Sequence, residues 1–234
     1  MKIAIIPARG GSRRIPHKNI KMFSGKPMLA YAINVAKKST IFDHIIVSTD
    51  DAEIASIARQ WGASTPFVRP DNLADDHAST VSAVAHAVAE CLTLGWDIDF
   101  VCCIYPSVPL IQLDDISLAL NLLKNHPTAE YSFPVTEFPS MIQRAFRIKP
   151  DGLTIPFYLE FEMDKTQDLA SAYHDAGQFY WGKPKAWLNT TKIHSNGVGL
   201  VIPNWRVADI DTVEDWKRAE LLYKLFQMEI KDEW

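Results

Sequence analysis

Apolar and polar positions along the chain switch period several times. Residues 2–8, KIAIIPA, form a nearly unbroken apolar run, as expected of a strand covered on both faces. Residues 27–38 then take helical spacing, with Met28, Leu29, Ala32, Ile33 and Ala36 on one stripe. An apolar run returns at 44–49. Asp51 stands where a helix N-cap belongs, ahead of Ile54, Ile57, Ala58 and Trp61, and Gly62 is placed to end that helix. The alternation continues with a short strand near 66–69, a helix over 79–94, a strand over 99–105, a helix over 114–125 and a strand over 131–136. Repeated βα order predicts an α/β fold: a doubly wound, mostly parallel, Rossmann-like sheet with right-handed crossovers.

The rhythm breaks over 137–175, where Pro139, Pro150, Pro156 and scattered aromatics replace it. This stretch reads as a small arm inserted into a single domain spanning 1–234. Its Phe157, Tyr158, Leu159 and Phe161 either bury against a second subunit, making the chain a homodimer, or pack on its own sheet. Strands resume at 178–181, where alternation buries two of the four residues, then at 199–202 and near 207–210. The final helix opens with Thr212 and Asp215 at capping-box spacing, and its apolar face carries Trp216, Ala219, Leu222 and Phe226.

Composition narrows the class. The 234 residues, 47% hydrophobic, suffice for a sizeable single core. With 24 Lys+Arg against 28 Asp+Glu, a net charge of -4 argues against nucleic-acid binding through a global basic field. Cys91, Cys102 and Cys103 are odd in number and lack metal-ligand spacing, and the last two point to opposite faces of any strand. Structural thiols in a reducing compartment therefore fit better than a redox or zinc site. The opening MKIAIIPARGG is too short an apolar run for a signal peptide, and nothing approaches the ~18 apolar residues of a membrane span. The expectation is a soluble cytoplasmic protein with no membrane partner.

The candidate chemistry begins in the loop ARGGSRRIPHKN, residues 8–19. Gly10 and Gly11 permit a tight turn with inward N–H groups, and Arg9, Arg13, Arg14 and Lys18 concentrate positive charge at the carboxyl end of the first strand. That combination suits a polyphosphate; the alternative is a solvated basic turn, a description that fits Arg14 best. GxxxxGK[ST] and GxGxxG are both absent, which disfavours a P-loop and ordinary dinucleotide binding. Asp209 and Asp211 lie two apart on the expected strand, so both carboxylates project from one face. Either they hold Mg²⁺ together with substrate phosphate, or one merely caps the final helix.

The run IIPARGGSRRIPHKNI, with IIVSTDD at 45–51, VRPDNLADDHAST at 68–80 and VADIDT at 207–212, resembles the CMP-sugar synthetases that activate nonulosonic, sialic-type acids. The likeness spans nearly the whole chain with motif order preserved. It implies a nucleotidyltransferase fold and CTP as substrate, with the triphosphate held by the first loop: Arg9, Gly10, Gly11, Ser12, Arg13 and Lys18. It also implies nucleotide contacts around Arg69, Ala78 and Thr80, with backbone groups rather than the last two side chains reading the pyrimidine. Arg69 as a surface salt-bridge residue is the alternative. The resemblance assigns Mg²⁺ to Asp209 and Asp211, and charge neutralisation during transfer to Lys18 and Arg13.

On the acceptor side, the sialic acid synthetases carry an RQxxPxxxxxNG pocket motif. Here Lys165 or Thr166 stands for its arginine, Ala176 replaces its asparagine, and Tyr105 replaces a glutamine or asparagine of an earlier strand. YHDAGQFYWG, residues 173–182, is instead similar to the pseudaminic acid cytidylyltransferases of flagellin and surface-glycan pathways. That resemblance departs at Lys165, where arginine is common; lysine keeps a cation but loses the bidentate fork. It implies a nonulosonic acid sugar, pseudaminic acid foremost, surrounded by Tyr105, Lys165, Gln167, Tyr173, His174, Asp175, Gln178 and Tyr180. His174 reads as a general base or as a structural histidine beside Asp175. N-acetylneuraminate or legionaminate as acceptor, a sugar-1-phosphate acceptor, and a non-catalytic nucleotide-binding module are the competing readings.

Overall fold

The computed structural model describes residues 1–75, 78–189 and 192–232. The sheet is built on β1 (Lys2–Pro7), whose alternate side chains are buried on both faces. A loop with a two-stranded ribbon, β2 (Met22–Phe23) and β3 (Lys26–Pro27), leads to α1 (Leu29–Ser39), so Pro27 closes the ribbon rather than opening the helix. β4 (His44–Ser48) pairs parallel to β1. Asp51 caps α2 (Ala52–Trp61) by accepting from the Glu53 and Ile54 N–H groups at 2.8 and 3.0 Å, and Gly62 ends it in the left-handed region at φ 96°. α3 (Thr80–Thr93), capped by Ser79, crosses to β5 (Phe100–Ile104), parallel to β1 on its other side.

The chain continues through α4 (Leu113–Asn125), β6 (Tyr131–Glu137), and a hairpin of β7 (Phe146–Ile148) and β8 (Thr154–Pro156). β9 (Tyr173–Asp175) and β10 (Phe179–Gly182) then run antiparallel along β6, interrupted at Gly177, whose φ of 63° suits only glycine well. α5 (Pro184–Asn189), β11 (Gly197–Val201), parallel to β6, and α6 (Val213–Asp232) complete it. Among the described residues the main sheet runs β11-β6-β10-β5-β1-β4, with β9 extending β10's path beside β6. It is mostly parallel, as the βα rhythm implied, with β9 and β10 reversed.

Residues of α1, α2 and α4 cover one face of the sheet, and those of α3 and α5 the other. Cys102 belongs to the first core and Cys103 to the second, as expected of neighbours on a strand, and all three cysteines are buried free thiols. β10 lies between β5 and β6 with helices on both sides. Gln178, Phe179, Tyr180 and Trp181 are therefore all buried, correcting the expectation that alternation would expose two of them.

Two expected strands are absent. Residues 66–69 join no strand among the described residues: Pro66 has no N–H to give, the chain bends at Phe67, Val68 is exposed, and the Arg69 N–H reaches Thr49 O at 2.9 Å. Residues 207–210 are likewise outside any sheet, because the Ile210 carbonyl accepts from Lys18 Nζ at 2.8 Å instead of a neighbouring strand. Ile210 joins a third core with Ile15, Phe23, Met28, Tyr31, Trp216 and Ala219. This cluster fastens the loop after β1 to the start of α6.

The segment 138–172 stands off the sheet. Arg144 ties it internally by donating to the Glu162 and Asp164 carbonyls, and Phe157 N–H bonds Ala145 O at 2.9 Å. Its Phe157, Tyr158 and Leu159 are exposed, as are Phe146, Ile148 and Met163, the last at 92%. They do not pack on the chain's own sheet.

Candidate active site

β1 joins α1 on one face, while α3 enters β5 from the other, so the winding reverses between the carboxyl ends of β1 and β5. Open α/β sheets form a crevice at such a point. A cavity of about 310 Å³ occupies it here. Pro7 lines it at the end of β1 and Arg9 just after, and Tyr105, Pro106 and Ser107 after β5. Lys18, Arg69, Ala78, Thr80, Asp209 and Asp211 close the remaining sides. Ser12 also lines it, so nine residues singled out from the sequence meet in one crevice.

The loop after β1 is held by polar bonds. Asn19 Nδ2 donates to Arg9 O at 2.9 Å, and Gly10 N–H donates to Asp50 Oδ1 at 3.0 Å. Gly10 is required for approach rather than for its turn: neither Gly10 nor Gly11 has positive φ, and a Cβ on Gly10 would lie 2.7 Å from Asp51 Oδ2. A Cβ on Gly11 would meet nothing within 4 Å. The Gly10 N–H is thus engaged by Asp50 and does not point freely inward, which corrects the simple cradle read from the glycine pair. Arg13 lines a smaller adjoining recess of about 50 Å³ with Arg9, Arg14, Lys18 and Asp211.

Arg69 is 3% exposed, not a surface ion-pair residue. Its Nε donates to Ser48 Oγ at 3.2 Å and its Nη2 to Ser48 O, which fixes the guanidinium in the cavity wall. Loss of hydration lowers its pKa, opposed by the charge of Asp50. Arg9 reaches across the cavity mouth to the Asp75 carbonyl, and Asp75 Oδ1 accepts from Ala78 N–H at 2.7 Å. Residues 76 and 77, inside the stretch 68–80, lie outside the described residues.

Asp209 and Asp211 flank Ile210, and both line the cavity even though no strand presents them. Asp211 receives Arg14 at 2.8 Å on one oxygen and Lys18 at 3.6 Å on the other. Arg14 is solvent-exposed, as expected of a basic turn, and from there pairs with Asp211. The helix cap falls to other residues: Asp215 N–H donates to Thr212 Oγ1 at 3.1 Å, and Thr212 N–H to Asp215 Oδ2 at 2.7 Å. Asp209 is exposed as a residue, yet its pKa is raised, first by desolvation against the wall and second by the charge of Asp211. Two mutually repelling carboxylates with oxygen donors suit a hard divalent cation. Among the described residues no group of three or more His, Cys, Asp or Glu side chains could hold a metal. A cation here needs ligands from a substrate, as Mg²⁺ does when bound by one or two carboxylates and phosphates.

The expected acceptor residues divide into four groups. Tyr105 lines the cavity, its hydroxyl 3.2 Å from Thr80 Oγ1. Tyr180 and Asp175 lie behind it, with Tyr180 OH donating to Asp175 Oδ2 at 2.7 Å. Gln178 is a core residue: Nε2 donates to Arg206 O at 2.8 Å, and buried Oε1 finds no partner among the described residues. The cavity wall does not include Lys165, Gln167, Tyr173 or His174. Lys165, Gln167 and Tyr173 are exposed, and His174 packs on Phe138 with its Nδ1 3.0 Å from Asp175 O. Nothing in that geometry gives His174 a path to the crevice as a base.

Sequence reasoning passed over Asn19, Asp50, Asp75, Ser107 and His194. Asn19 and Asp50 sit inside motifs already quoted, so position after β1 and β4 was a usable signal for them. His194, whose Nε2 lies 2.7 Å from Asp175 Oδ2, carries none.

A family profile described as cytidylyltransferase matches residues 3–178. The chain is 43% identical over 227 residues to a protein of Campylobacter jejuni subsp. jejuni named pseudaminic acid cytidylyltransferase, covering 95% of this chain and 96% of that one. It is 29% identical to the CMP-N,N'-diacetyllegionaminic acid synthase of Legionella pneumophila, covering 96% and 97%. In fold it resembles CMP:2-keto-3-deoxy-manno-octonic acid synthetase, solved with CTP, at a TM-score of 0.70 and 14% identity over 96% of this chain and 98% of that one.

Proposed function

Because the chain belongs to the cytidylyltransferase family, we propose that it couples CTP to a nonulosonic acid sugar, pseudaminic acid, and releases pyrophosphate and the CMP-sugar. The observation that carries this reading is the meeting of Arg9, Ser12, Lys18 and Arg69 with Asp209 and Asp211 in one crevice of about 310 Å³. Cations and an acidic pair lining one crevice suit a triphosphate with a divalent cation, and the similarity to the Campylobacter protein, by name a pseudaminic acid cytidylyltransferase, supports the acceptor.

The anomeric hydroxyl of the sugar attacks the α-phosphorus in line, with pyrophosphate leaving and no covalent enzyme intermediate. Arg9, Ser12 and Lys18 hold the triphosphate, with Arg13 engaging its far end from the adjoining recess. Gly10 sets the loop against Asp50, and Gly11 leaves room for close approach. The backbone around Ala78 and the side chains of Thr80 and Arg69 hold the nucleoside portion. Lys18 is anchored by the Ile210 carbonyl, so its charge is fixed where negative charge builds on the phosphates. Asp209 and Asp211 hold Mg²⁺, which supplies Lewis acidity and charge neutralisation at the phosphates when bound. Tyr105 faces the sugar.

The exposed apolar side chains of 138–172 support pairing of two copies through this segment, which also carries Lys165 and Gln167. The three buried thiols fit a cytoplasmic enzyme; among the described residues no helix is long and apolar enough to cross a membrane.

The test is CMP-sugar formation from CTP, pseudaminic acid and Mg²⁺, followed by mass spectrometry. Product is expected with wild type, with kcat reduced about 100-fold or more in Lys18→Ala at unchanged folding. No product, undiminished turnover in Lys18→Ala, or product only from a sugar-1-phosphate would overturn the reading.

A further inference from the structure

The two aspartates of the crevice sit on a stretch of chain between β11 and α6 that belongs to no strand. Beyond Asp209 this stretch is fixed by Lys18, which donates to Ile210 O at 2.8 Å, and by Asp215, whose Oδ2 accepts from the Asp211 N–H at 3.1 Å. Before Asp209 it is gripped at Arg206. There Nη1 donates to Asp115 Oδ2 at 2.8 Å and Nη2 to Asp115 Oδ1 at 3.4 Å, while the Arg206 carbonyl accepts from Gln178 Nε2 at 2.8 Å. Asp115, in the first turn of α4, and Gln178 are both buried.

A carbonyl oxygen only accepts, so the Gln178 side chain must turn its NH2 towards Arg206 and the bond has one direction. The backbone oxygen of the same residue accepts from Tyr105 N–H at 2.9 Å, and Tyr105 lines the cavity. Gln178 therefore joins the wall after β5 to the stretch that carries the carboxylates. Desolvation raises the Asp115 pKa, and Arg206 offsets only part of that rise. A buried pair of this kind adds little stability over apolar side chains of similar size. Its effect is on place, because a guanidinium that meets both oxygens of one carboxylate is held in a single orientation. We propose that Gln178 and the Asp115–Arg206 pair are positioning residues for the metal carboxylates: they fix the backbone three residues before Asp209, so that Asp209 and Asp211 are in place before the cation arrives. None of the three lines the cavity or touches substrate. This rests on the function proposed above and adds which residues prepare its metal site.

The test is calorimetric titration of CTP in the absence of sugar, so no turnover is involved. For wild type, Mg²⁺ should strengthen CTP binding relative to EDTA. Gln178→Met keeps the length of the side chain and removes the donor. The strengthening by Mg²⁺ should then fall about threefold to tenfold, the size of one hydrogen bond, with CTP affinity in EDTA unchanged to within about a factor of two. Asp115→Leu combined with Arg206→Met replaces the pair by apolar side chains; it should melt near the wild-type temperature and lose the Mg²⁺ effect in the same way. Asp115→Asn still accepts from Arg206 and should keep most of it. An unchanged Mg²⁺ effect in Gln178→Met, or equal losses of CTP affinity with and without Mg²⁺, would overturn the proposal while leaving CMP-sugar formation by wild type, and so the assigned reaction, intact.

Discussion

Asp209 is held beside Asp211 at a cost that the ligand-free protein bears alone. Its pKa is raised by desolvation and by Asp211, so the folded chain binds that proton more tightly than the unfolded chain does. Folded stability therefore falls as pH rises from the unfolded carboxylate value of about 4 through the raised one. Asp209→Asn removes this dependence. Its melting temperature at pH 7 without ligands should exceed wild type, while turnover drops about 100-fold with the loss of a carboxylate charge at the metal; a lower melting temperature at pH 7 would refute the electrostatic account. At this scale Lys18 was readable from its place in the basic loop after the first strand, whereas Arg69, Asp209 and Asp211 were readable through the likeness to the CMP-sugar synthetases. His194 was not, since its bond to Asp175 joins the end of β9 to the helical turn before β11, two places with no periodic or motif relation.

The segments between elements decide the shape of the site. Gly10 lies against the Asp51 cap of α2, whereas Gly11 faces open space. Gly10→Ala should destabilise the fold by about 1–3 kcal/mol in urea denaturation through overpacking, and Gly11→Ala by less than about 0.5 kcal/mol. Equal effects would mean that the glycines act through backbone freedom alone. Helix caps at Asp51, Gly62 and Thr212 were legible because local chemistry dictates them. The strands expected at 66–69 and 207–210 were not real, because a strand needs a partner that apolar content does not reveal. In the second case the partner is a lysine side chain 192 residues away. The same remoteness explains β10: full burial of Gln178 through Trp181 depends on a place between β5 and β6 that no local pattern encodes.

For the molecule as a whole, βα alternation sufficed to give a doubly wound sheet, and the winding reversal between β1 and β5 locates the crevice. The third core, from Ile15 to Ala219, was invisible in the sequence although it brings the first loop and the acidic pair together. Exposed Ile148, Phe157, Leu159 and Met163 give the chain an apolar face that a second copy can cover. Sedimentation velocity should show a dimer at micromolar concentration, and Leu159→Lys with Met163→Lys should shift it to monomer; a monomeric wild type would refute the pairing. The net charge of -4 conceals the arrangement that matters, cations after β1 set beside carboxylates before α6, with Arg14 and Lys18 paired to Asp211. The most direct test of the central claim is an acceptor competition. With CTP and Mg²⁺ present, equimolar pseudaminic acid, N,N'-diacetyllegionaminic acid and N-acetylneuraminic acid are offered together, and the CMP-sugars formed are resolved by chromatography. CMP-pseudaminate should dominate the product, whereas preference for either other sugar would contradict the account.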